Sequence, residues 1–99
     1  VCPRNPTLVK PPYYGPGNLK NWEVELASDV NGTEKVFVST YLGTSKKIIV
    51  STEKGYFLGA LKGKSELASG NIYFARVRQQ SSNGLWSAWS RWHQGFRVE

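Results

Sequence analysis

Arg76, Arg78, Trp86 and Trp89 stand at spacings that suit the stacking of cations on aromatic rings. Tyr73 to Arg78 alternates as a strand should. Tyr73, Ala75 and Val77 share one face, and Phe74, Arg76 and Arg78 the other. The two guanidinium groups then project from the same side, about 6.6 Å apart. Trp86 and Trp89, three apart in an extended segment of the polyproline type, also share a side. A guanidinium plane fits over an indole face, each contact being worth on the order of 0.5–2 kcal/mol. The expectation is a short ladder of interleaved arginine and tryptophan, carried by a strand and by the segment that holds Ser87 and Ser90.

The run Trp86-Ser87-Ala88-Trp89-Ser90 resembles the W-S-x-W-S box of class I cytokine receptors, which also occurs in many bacterial fibronectin type III modules. The preceding aromatic-x-x-Arg-x-Arg strand strengthens the resemblance. It implies an all-β, immunoglobulin-like (fibronectin type III) β-sandwich of about seven antiparallel strands. It also implies that Arg76, Arg78, Trp86, Trp89, Ser87 and Ser90 act as a structural brace. Leu67-Ala68-Ser69-Gly70-Asn71-Ile72-Tyr73 resembles the corner Leu-x-Pro-Gly-x-x-Tyr of the same modules, with Ser69 in place of proline. This implies that the Tyr73 hydroxyl bonds back to the backbone near Leu67. Leu8 to Leu26 resembles the passage from the second strand through a Pro-Pro loop to the third, with Val9 where a tryptophan is usual.

Ninety-nine residues suit one domain, 1–99. Aromatic residues make up 13% and glycines number ten, a composition that points to strands and turns. No apolar run approaches the roughly 18 residues needed to cross a bilayer, so no membrane insertion is expected in this segment. The start at Val1, without a signal peptide, suggests a piece of a longer or processed protein. A net charge of +6 favours anionic partners. Cys2 is the only cysteine, which leaves no internal disulfide and no Cys-based metal site.

All five prolines lie in the first sixteen residues, clear of the later strands. Thr7-Leu8-Val9-Lys10 suits a short strand, and residues 1–6 a linker or partial first strand, so the first strand is expected to be short or missing. A missing strand leaves an edge that can template another chain. Trp22-Glu23-Val24-Glu25-Leu26 alternates, placing Trp22, Val24 and Leu26 inward and the glutamates outward on an exposed face. If this strand neighbours the one carrying Arg76 and Arg78, Glu23 and Glu25 flank the arginines. Asp29 to Thr33 reads as a type I′ hairpin turn on Asn31-Gly32. Asn31-Gly32-Thr33 is also an N-glycosylation sequon. Lys35 to Tyr41 is the next strand. Lys46 to Thr52 and Tyr56 to Leu61 compete for the fifth. Gln79 to Gly84 reads as a hairpin loop, and Gln94 to Val98 as the last strand, with Phe96 and Val98 inward.

Catalysis finds little support. His93 is the only histidine and Asp29 the only aspartate, so no triad can be assembled, and Glu23 and Glu25 lie on one exposed face near basic groups that keep them ionised, unsuited to acid–base work. No metal ligand set, phosphate loop or cofactor is expected. Basic residues are spread along the chain, and the arginines suited to base stacking are committed to tryptophans, so nucleic acid is not expected. Trp92 extends the tryptophan spacing to a triple also found in thrombospondin type 1 repeats, whose disulfide-rich fold one cysteine excludes. The same spacing makes Trp86 a conceivable C-mannosylation site. Tyr13, Tyr14 and Trp92 are candidate contacts for a glycan or protein partner. The expected role is an interaction or spacer module of a larger secreted, cell-surface or phage-tail-like protein, of the bacterial type. The alternatives are the membrane-proximal domain of a class I cytokine receptor and a carbohydrate-binding module.

Overall fold

The computed structural model describes residues 3–92 and 95–99. The strands are β1 (Thr7–Val9), β2 (Leu19–Ala27), β3 (Lys35–Ser39), β4 (Lys47–Ile49), β5 (Tyr56–Phe57), β6 (Ile72–Ser81) and β7 (Phe96–Arg97). A single 3-10 turn, Gly59–Leu61, is the only helical element among the described residues. All strand pairing is antiparallel. One sheet has the order β5-β3-β2-β6-β7, and the other is the pair β1-β4.

The long β2 and β6 form the centre of the larger sheet. Their alternation fixes the register, setting Val24 opposite Val77, Glu23 opposite Arg78 and Glu25 opposite Arg76. A slip of one residue would turn the buried Trp22, Val24 and Leu26 to the other face, which is why the apolar pattern holds the pairing. Leu8, Ile48 and Val50 of the small sheet and its flank pack on the same core as Trp22, Phe37, Tyr73 and Val77. Leu61, Leu67 and Val98 close its ends. Phe37 meets Phe57 edge to face at 5.0 Å between ring centroids.

Several elements differ from the sequence expectation. Both competing runs contain strand, but in different sheets: β4 pairs with β1, whereas β5 extends the larger sheet beyond β3. Beyond Phe57 the second run bends into the 3-10 turn. The turn at Asn31-Gly32 is not type I′, because Asn31 keeps a negative φ and only Gly32 (φ 73°) is left-handed. Gly32 N–H donates to the Asp29 carbonyl at 3.2 Å. The Asp29 carboxylate accepts from Thr33 N–H, Thr33 Oγ1–H and Glu34 N–H, and so organises the turn from its first residue.

Gln79, Gln80 and Ser81 belong to β6 instead of a loop, since Leu19 to Trp22 of β2 give them partners. Residues 3–6 form no strand. The Arg4 and Pro6 carbonyls instead accept from Leu67 and Val50 N–H groups. The expectations for Cys2, His93 and Gln94 lie outside the described residues.

Candidate functional site

The outer face of β6 carries the arginines, and residues 86–92 run beside it. The Arg78 guanidinium carbon lies 4.5 Å from the Trp86 ring and 4.8 Å from Trp89. That of Arg76 lies 4.5 Å from Trp89 and 4.8 Å from Trp92. The order is therefore Trp86, Arg78, Trp89, Arg76, Trp92. With each guanidinium carbon 4.5–4.8 Å from the ring on either side, every gap between successive indoles holds one guanidinium. Trp92, expected as a free contact residue, is instead half-buried as the last rung. A Cβ on Gly32 would run into its indole, so the β2–β3 turn supports that rung from behind.

Two carboxylates hold the guanidinium edges. Arg78 Nε donates to Glu23 Oε1 at 2.7 Å, and Arg76 Nε to Glu25 Oε1 at 2.7 Å. Arg76 also meets the same Glu25 oxygen through Nη2 at 2.6 Å, while Lys35 Nζ lies 3.4 Å from Oε2. The glutamate face expected to be exposed is covered by this layer: Glu25 is only 9% exposed. A charge buried to that degree needs its pairing and hydrogen bonds, which Arg76 and Lys35 supply.

Ser87 and Ser90 join the segment to the strand. Ser90 N–H donates to the Val77 carbonyl at 2.8 Å, and Val77 N–H donates to Ser90 Oγ at 3.0 Å. Ser87 repeats this with Gln79, at 2.8 and 3.0 Å. Near the start of β6, Ala68 N–H donates to the Tyr73 hydroxyl at 3.0 Å, and Leu67 and Tyr73 are both buried.

The other candidates lie apart from this layer. Tyr13 is half-buried, folded over Gly15, and its hydroxyl donates to the Pro16 carbonyl at 2.7 Å. Tyr14 is 89% exposed. Asn31 is exposed in its turn. Tyr41, also exposed, is the only non-glycine residue with a left-handed backbone among those described (φ 58°). No three His, Cys, Asp or Glu side chains converge among the described residues. No helix there is long and apolar enough to cross a membrane.

A second feature escaped the sequence reading. An apolar groove of about 450 Å³ runs between the two sheets. Leu8, Val9, Pro11 and Pro12 wall one side, and Trp22, Val24, Ala75, Val77 and Phe96 the other. Lys10 is its one charged lining residue. Its ammonium donates to the Pro11 carbonyl (2.6 Å) and Gln79 Oε1 (3.1 Å). Burial, and then the nearby Lys46, hold its pKa below the ordinary 10.5. The only hint in the sequence was the expectation of a short or missing first strand.

Comparison with protein-family models, curated proteins and solved structures finds no match.

Proposed function

We propose that this chain is a non-catalytic interaction module with a fibronectin type III-like sandwich, part of a larger secreted, cell-surface or phage-tail-like protein. The observation that carries this reading is the closure of the arginine–tryptophan layer on itself. Each guanidinium has an indole on both faces and a carboxylate on its edge, so its recognition chemistry is used within the fold. Such a layer braces a scaffold and leaves loops and sheet edges to meet partners. The Tyr73 corner and the two antiparallel sheets on one core support the sandwich.

Denaturant unfolding of Arg76→Ala and Trp89→Ala tests the brace. Each variant is expected to lose about 1–3 kcal/mol of stability. Full stability combined with loss of a partner would make the layer a contact surface instead.

A further inference from the structure

The open edge of β1 borders the apolar groove. In the β1–β4 ladder Lys10 N–H bonds the Lys46 carbonyl and Val50 N–H bonds the Pro6 carbonyl. By the alternation of an antiparallel pair, Leu8 also faces β4, and the N–H and C=O groups of Thr7 and Val9 point away from it. β1 has no other strand neighbour, and no turn or loop among the described residues bonds Thr7 or Val9. No residue of β4 lines the groove, so the groove opens on that same unpaired side. Residues 3–6 do not cover it, because Arg4 and Pro6 are tied to Leu67 and Val50.

Trp22 is the largest buried side chain at the groove. It lines the groove, its side chain is fully buried, and its Nε1–H has no acceptor. A buried donor left unpaired is costly. An unpaired strand edge beside an apolar trough describes the recognition of an extended peptide.

Charge selects which peptide. Lys10, Lys46 and Lys47 gather at one end of the small sheet, and none of them meets a carboxylate among the described residues. A second copy of this chain would bring another net +6 to the seam, and like charges oppose that pairing. We propose that the β1 edge and its groove bind an extended peptide of another protein, with alternating apolar side chains flanked by acidic residues. The peptide pairs with Thr7 and Val9, seats its apolar side chains against Pro11, Ala75 and Phe96, and meets the lysines with its carboxylates.

This names one partner surface of the module proposed above and rests on that reading. The probe is the acetylated, amidated peptide Glu-Val-Thr-Ile-Thr-Val-Glu, titrated into the ¹⁵N-labelled chain. The expected result is saturable movement of the Thr7 and Val9 amides. A peptide with Lys for both Glu should bind about tenfold more weakly. Val9→Pro removes an outward N–H that β4 does not use, and should weaken binding about tenfold with an unchanged melting temperature. Where that variant fails to fold, Lys10→Glu combined with Lys46→Glu takes its place and should reverse the preference between the two peptides.

Unmoved Thr7 and Val9 amides at millimolar peptide overturn the proposal, as does unchanged binding by Val9→Pro. Peptide-free sedimentation showing dimers that shift the same resonances would make the occupant a second copy and overturn it too. Silence of the peptide alongside destabilised Arg76→Ala and Trp89→Ala chains would remove this site and leave the braced-module reading in place. A peptide response in a chain indifferent to those substitutions would do the reverse.

Discussion

Ser87 and Ser90 each answer both backbone groups of a β6 residue, one through the hydroxyl and one through the main chain. This explains serine at these positions: an alanine would keep the N–H donor and lose the Oγ acceptor. Ser90→Ala leaves Val77 N–H unpaired at a partly buried site, whereas Gln79 N–H, opposite Ser87, lies in an exposed one. Denaturant unfolding should therefore show a loss of about 1–2 kcal/mol for Ser90→Ala and a smaller one for Ser87→Ala. Negligible losses would mean that water replaces the hydroxyl freely, and equal ones that burial does not set the cost. The arginine and tryptophan positions were legible in the sequence because a two-residue alternation and a three-residue spacing are local patterns. Trp92 continues the same spacing, but its place as a rung was not legible, since it depends on the second face of Arg76 and on Gly32, sixty residues earlier in the chain.

At the scale of elements, legibility followed how local each cause is. β2 and β6 show their apolar alternation in sequence, and that alternation is what sets their register. Lys46 to Thr52 and Tyr56 to Leu61 look alike as apolar runs, yet only the partner available to each decides its sheet. The polar Gln79-Gln80-Ser81 carries no strand pattern and is held in β6 by β2. In the β2–β3 turn, Asn31-Gly32 misled because the Asp29 carboxylate organises the backbone from outside the pair.

That carboxylate makes the turn sensitive to pH. The Glu34 N–H, and then the Thr33 hydroxyl, hold the Asp29 pKa below the ordinary 3.8. A carboxylate depressed on folding contributes stability above its unfolded value and loses it as pH falls through the folded one. The Thr33 and Glu34 amide resonances should thus titrate together with a midpoint below 3.8. A midpoint at or above that value would show that the carboxylate does not cap the turn.

Across the whole molecule, one layer joins distant parts of the chain. Glu23 and Glu25 from β2, Arg76 and Arg78 from β6, and residues 86–92 meet on the outer face of the larger sheet, opposite the core. A domain's net stability is only about 5–15 kcal/mol, so a stack of such contacts is a large share of it. The inner side of the same sheet is less complete, with the groove beside β1 left open. Bracing on one side and an open edge on the other suit a scaffold that presents a strand-pairing surface. The most direct test of the brace is a double-mutant cycle on global unfolding with Arg76→Ala, Trp89→Ala and the pair. Stacking predicts a coupling of about 0.5–2 kcal/mol between the two positions. Losses that simply add would contradict it.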